Sequence, residues 1–98
     1  MINRIVRLSF EPKLVNDFLA VFENSKNHIA NFPGCHGLTL LQDANYSNIY
    51  YTYSLWLNES DLEKYRNSEL FETTWAATKK MFNAKPMAFS TTVNQIVK

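Results

Sequence analysis

The sequence predicts an α+β fold of the ferredoxin-like, split βαβ kind: a four-stranded antiparallel sheet with helices on one face. Three observations predict it. The hydrophobic spacing alternates between periods of two and 3.6 in the order β-α-β-β-α-β. Proline or glycine stands at the changes of period, at Pro12, Pro33-Gly34 and Pro86. One strand, finally, carries aromatic side chains on both faces, so helices can cover only half of it.

Ile2–Phe10 is the first strand, with Ile2, Val6, Leu8 and Phe10 on one side, Arg4 interrupting that side, and Asn3, Ile5, Arg7 and Ser9 on the other. Glu11-Pro12-Lys13 ends it, because proline donates no ladder hydrogen bond. From Leu14 onward Val15, Phe18, Leu19, Phe22, Ile29 and Phe32 follow helical spacing. This predicts an amphipathic helix of nearly twenty residues, stopped by Pro33-Gly34. Cys35–Gln42 is extended again, with Leu38 and Leu40 on the side of His36. The polar run Asp43–Asn48 then turns the chain into a hairpin.

Asn48–Trp56 is the aromatic strand. Tyr51, Tyr53 and Leu55 share one face; Tyr50, Thr52, Ser54 and Trp56 share the other. Ser60-Asp61-Leu62-Glu63 has capping-box spacing for a short helix with Leu62 and Tyr65. Ser68 can cap another helix whose Phe71, Trp75, Thr78 and Phe82 lie on one side, with Leu70, Thr74 and Met81 flanking and Pro86 ending it. Met87–Val97 alternates as a last strand. The sheet face that no helix covers would expose a contiguous apolar patch, and such patches mark interfaces. A two-fold homodimer packed sheet against sheet through Tyr51, Tyr53 and Leu55 is the expectation.

Ninety-eight residues make one domain, here taken as 1–98, with one core and little in reserve. With 46% hydrophobic and 19% charged residues and a net charge of +1, nothing calls for nucleic acid or an acidic membrane surface. No apolar run is long enough to span a bilayer. A single cysteine and no apolar leader point to a reducing cytoplasm.

No phosphate loop can be built from Gly34 and Gly37. His28, His36 and Cys35 do not converge as metal ligands, so no metal and no cofactor is expected. Alternation sets Cys35 and His36 on opposite faces, which rules out a Cys–His nucleophile pair. Cys35 reads as a small apolar strand residue and His28 as solvated. His36 reads either as a polar residue near a strand end or as a base for a phenolic or enolic proton. Phe71, Trp75 and Phe82 can serve as core or as pocket wall, as can Tyr65. Trp56, at a strand end, borders any opening between sheet and helices. Tyr50, Thr52 and Ser54 lie behind it, and such a cleft suits a flat hydrophobic molecule.

Several stretches together resemble the antibiotic biosynthesis monooxygenase (ABM) domain family. They are Arg4-Ile5-Val6-Arg7-Leu8-Ser9-Phe10 before a long helix, Phe32-Pro33-Gly34-Cys35, Tyr53-Ser54-Leu55-Trp56 before Asn58-Glu59-Ser60-Asp61-Leu62, Tyr65–Phe71, and Lys85-Pro86. The resemblance implies a dimeric α+β barrel. It also implies oxidation of a small aromatic, phenolic or quinol-like compound by molecular oxygen without metal or flavin, the substrate's own electron-rich ring reducing the oxygen. Trp56 matches a tryptophan that relatives place in the active-site cleft, and with His36 it is the expected catalytic pair. Thr52 stands where polyketide-oxidising relatives carry asparagine. Haem-degrading relatives carry a histidine on the later helix, where this chain leads to Trp75; their first-strand asparagine has no counterpart either, so haem degradation is not expected. The competing expectation is a dimeric module that binds a small hydrophobic molecule without turnover, or a pocket filled by its own side chains.

Overall fold

Backbone pairing follows the alternation closely. A computed structural model of the chain describes all 98 residues. Strand β1 (Ile2–Ser9) leads through a 3-10 turn at Pro12–Leu14 into helix α1 (Val15–Ala30). Strands β2 (Cys35–Gln42) and β3 (Ile49–Trp56) form the hairpin, helices α2 (Glu59–Arg66) and α3 (Glu69–Lys79) follow, and β4 (Met87–Thr91) closes the chain. All neighbours in the sheet are antiparallel and the strand order is β2-β3-β1-β4. This is the α+β, ferredoxin-like arrangement.

Register assigns the faces. Ile2, Arg4, Val6 and Leu8 lie opposite Trp56, Ser54, Thr52 and Tyr50, and this side meets the helices. The principal core forms where Leu8, Phe10, Phe18, Tyr50 and Met81 are buried together, with the Phe10 and Phe18 rings stacked at 4.1 Å. The other side carries Ile5, Tyr51, Tyr53 and Leu55, half-buried, flanked by the exposed Leu41, Met87 and Phe89. Two of its hydroxyls are satisfied by neighbouring side chains: Tyr51 donates to Asp43 Oδ1 in the hairpin turn at 2.7 Å and Tyr53 to Asn3 Oδ1 of β1 at 3.0 Å. The Tyr51 hydroxyl, with the Asn45 amide, holds the Asp43 carboxyl below its ordinary range, and the same bond raises the Tyr51 phenol.

Several boundaries differ from the sequence reading, each for a local reason. Helix α1 begins at Val15 and ends at Ala30, leaving Phe32 in the following turn. Asn58, not Ser60, caps α2: its Oδ1 accepts from the Asp61 amide at 2.9 Å, and Ser60 Oγ donates to the same oxygen. Ser68 caps α3 through the Phe71 amide, as its position predicts. Helix α3 stops at Lys79, well before Pro86, because Met81 and Phe82 turn back onto the segment just after β1. The Glu11 amide bonds the Met81 carbonyl, and Phe82 bridges Phe10. Strand β4 ends at Thr91 and not at Val97. Thr91 already pairs with Asn3, one residue from the start of β1, so the chain beyond it has overrun the sheet.

One glycine is required by the backbone. Gly34 adopts φ +88°, and a β-carbon there would collide with the side chain of Asp61 at the start of α2. Its carbonyl accepts from the Leu57 amide at 2.9 Å, which ties the α1–β2 turn to the end of β3.

Candidate ligand-binding site

Between the sheet and the helices lies a cavity of about 350 Å³, near the lower end of the range of about 300–1,000 Å³ usual for ligand pockets. Its floor is the helix-facing side of the sheet, with Val6 and Leu8 of β1, Leu38 of β2, Thr52 and Ser54 of β3 and Ala88 of β4. Helix α1 contributes Phe18, Val21, Phe22 and Ile29. Tyr65 of α2 and Phe71 and Trp75 of α3 form the remaining aromatic wall. The sequence pattern explains the arrangement, since every one of these residues falls on the apolar side of its own element.

The aromatic wall is continuous. Trp56 stacks on Tyr65 at 4.9 Å, Tyr65 meets Phe71 edge-on at 5.3 Å, Phe71 stacks on Trp75 at 5.8 Å, and Trp75 meets Phe82 at 5.5 Å. Phe82 joins this chain to Phe10 and so to the principal core. Offset and edge-to-face geometries of this kind are the favoured ones, so the wall is held by contacts among its own members.

The expected site residues divide by position. Thr52, Ser54, Tyr65, Phe71 and Trp75 line the cavity. Tyr50 and Phe82 do not; they belong to the adjoining core. Trp56, expected beside an opening, is fully buried behind Tyr65 and outside the lining. Its indole Nε1–H donates to Ser54 Oγ at 2.9 Å, and indole has only that one donor, so Trp56 has none left for a ligand. It acts on the cavity by holding Ser54 and Tyr65. His36 is exposed and also outside the lining. A bulge between Cys35 and Gly37 makes His36 the extra residue of β2 and breaks the alternation that would have set it beside Leu38 and Leu40. It is not placed to take a proton from a molecule in the cavity.

The charged residues of the lining, Arg4 and Arg66, escaped the sequence reading as site residues. The signal for Arg4 was present, since it is the one charged residue on the apolar side of β1. The lining hydroxyls also differ in availability. Ser25 and Thr78 donate back to their own helix, at 2.9 Å and 2.8 Å. Thr52 makes no such bond, so its hydroxyl is free.

Tyr65 is the one tyrosine of the lining. Burial first, and the nearby Cys35 second, push its phenol up to about 12. It stays neutral across the physiological range and can donate a hydrogen bond, but it is no base there. No group of side chains is placed to hold a metal ion, and no helix is long and apolar enough to cross a membrane.

Comparison with known proteins defines the class. The family model of the antibiotic biosynthesis monooxygenases matches residues 1–77, and the chain belongs to that family. A solved antibiotic biosynthesis monooxygenase superposes with a TM-score of 0.91 at 13% identity, covering 97% of this chain and 100% of the other. SnoaB, a cofactor-independent oxygenase from Streptomyces nogalater, gives 0.86 at 18% identity, covering 98% and 95%. Rv0793 from Mycobacterium tuberculosis gives 0.88 at 12% identity, covering 99% and 98%. At such identities the likeness is one of fold. No match is found among curated proteins.

The Tyr65 phenol generates a prediction with a definite sign. The folded state holds this proton more tightly than the unfolded chain, whose tyrosines ionise near 10. The resulting stabilisation is complete below pH 10 and is lost as pH rises from 10 towards about 12. In denaturant titrations, the wild-type chain should lose more stability than a Tyr65→Phe variant over that interval. Equal losses would show that burial does not perturb Tyr65.

Proposed function

We propose that the chain is a cofactor-independent monooxygenase for a small aromatic, phenolic or quinol-like compound bound in the cavity. The observation that carries this reading is the cavity itself: apolar, walled by Tyr65, Phe71 and Trp75, and offering a few polar groups from one side. Membership of the monooxygenase family, and the cofactor-independent oxygenase SnoaB among the structures of like fold, support it.

In this reading the phenolate form of the substrate supplies all four electrons that oxygen needs. The ring carbon gains one oxygen atom as a carbonyl, its hydrogen and the phenolic proton leave with the second oxygen atom as water, and the phenol oxygen becomes the other carbonyl of a quinone. No external reductant enters. The chain contributes orientation, exclusion of bulk water, and hydrogen bonds from Thr52 or Ser54 to the oxygen that carries the developing charge.

The second reading, a module that binds such a molecule without turnover, is favoured by one observation. The cavity holds no side chain that accepts a proton near neutrality, because His36 lies outside it and Tyr65 is held neutral. Turnover therefore requires a substrate acidic enough to ionise by itself or through water.

The unit that performs this function, residues 1–98 as one domain in a reducing cytoplasm, is a homodimer in our reading. Its two copies meet through the face of Tyr51, Tyr53 and Leu55, where Phe89 is 52% exposed in the isolated chain. Sedimentation at micromolar concentration should give a dimer, converted to monomer by Tyr53→Glu with Leu55→Glu. A monomeric wild-type chain would refute the assembly.

The enzymatic reading requires oxygen uptake with a hydroquinone or naphthol panel in chelator-treated buffer, with no flavin added. Trp75→Ala, which removes one aromatic wall, should lower the rate at least tenfold while leaving the circular dichroism spectrum unchanged. Saturable binding without oxygen uptake would instead establish the binding module.

A further inference from the structure

Charge is distributed unevenly around the cavity. Arg4 and Arg66 both line it and no carboxylate does. Arg4 projects from the centre of the sheet, between Ser54 of β3 and Ser90 of β4. Its only partner is the Ser90 hydroxyl, which accepts from Nη1 at 2.9 Å; neither of the ion pairs in the chain includes it. Arg66, at the end of α2, pairs at 3.4 Å with Glu63 one turn back, and both of these side chains are about half exposed. One carboxylate at the rim therefore faces two guanidinium groups, a surplus of one positive charge.

The surplus falls at a costly place. Burial and the repulsion of Arg66 both act against the charge on Arg4, and only Glu63 favours it. A guanidinium taken partly out of water is favoured by an anionic partner, and the chain offers only Glu63, whose ion pair is with Arg66. Arg4 has five N–H donors and uses one. The neighbouring cavity groups add donors, with the free Thr52 hydroxyl and the Ser54 hydroxyl, whose oxygen already accepts from Trp56. The corner is rich in donors and positive charge, while the rest of the cavity is apolar.

We infer that the cavity selects aromatic molecules bearing a carboxylate, the carboxylate seated between Arg4 and Arg66 and the ring lying against Tyr65, Phe71 and Trp75. This deepens the ligand-pocket reading above and rests on it. Arg4 is then a specificity-determining residue, suited to a bidentate carboxylate contact. The residue that breaks the apolar alternation of β1 does so because the ligand completes the cavity's charge balance.

The test compares two probes by titration calorimetry at pH 7, 2-naphthol and 6-hydroxy-2-naphthoate. They share a naphthol body and differ by the carboxylate. The inference requires the naphthoate to bind at least tenfold more tightly, with an advantage that shrinks as salt is raised. Arg4→Met should abolish that advantage while leaving 2-naphthol affinity within about twofold, and Arg4→Lys should retain part of it. Arg66→Gln, a solvated position where the fold is not at stake, should reduce the advantage independently. Equal affinity for the two probes in the wild-type chain would overturn the inference and leave the pocket reading standing. So would an advantage undiminished in both Arg4→Met and Arg66→Gln. Binding of neither probe would overturn both.

Discussion

The site depends on the burial of one side chain, Trp56. It has no exposed surface, it lies at the end of β3 between Ile2 and Cys35 in the sheet, and Tyr65 of α2 stacks upon it. Removing a buried aromatic of this size costs on the order of 3–5 kcal/mol, against a total stability of about 5–15 kcal/mol for a domain. The indole hydrogen bond contributes less, about 1 kcal/mol net. It nonetheless decides orientation, because an unpaired buried N–H would cost about 1–3 kcal/mol. Burial anchors α2 to the sheet, and the bond to Ser54 sets how the indole lies. From there the aromatic contacts pass through Tyr65, Phe71 and Trp75 to Phe82, around the cavity and into the core.

A small α+β domain has one helical layer with which to cover one face of its sheet. Here the helices meet each other and yet leave a space over the sheet that their own side chains line but do not fill. Gly34 fixes one end of this layer, since its left-handed turn brings the α1–β2 connection against Asp61 at the start of α2. The opposite face, with Tyr51 and Tyr53 tethered to Asp43 and Asn3, is laterally satisfied in its hydrogen bonds and apolar in its rings. One sheet thereby presents two different surfaces.

Much of this was legible in the sequence, because alternation and helical spacing are direct consequences of backbone geometry. The faces of β1 and β3, the hairpin at Asp43–Asn48 and the Ser68 cap all follow from spacing alone. Features that depend on distant contacts were not legible. The bulge at His36 inserts one residue without any local marker such as glycine at the inserted position. Helix α3 ends early because Met81 and Phe82 find partners in Glu11 and Phe10, just past β1 and about seventy residues away in sequence. Trp56 read as the border of an opening, since nothing nearby reveals that Tyr65 covers it. Arg4 was visible as an interruption, but its meaning required Arg66 beside the same cavity.

The central claim is that the space walled by Trp75 receives a small aromatic molecule while Trp56 stays sealed behind Tyr65. The chain has two tryptophans, so a nitrogen-15 spectrum resolves two indole N–H signals, assignable with Trp75→Phe. On titration with a small naphthol, the Trp75 signal should move saturably and the Trp56 signal, hydrogen-bonded to Ser54, should stay nearly fixed. Two unmoved signals, or movement of Trp56 alone, would contradict the account.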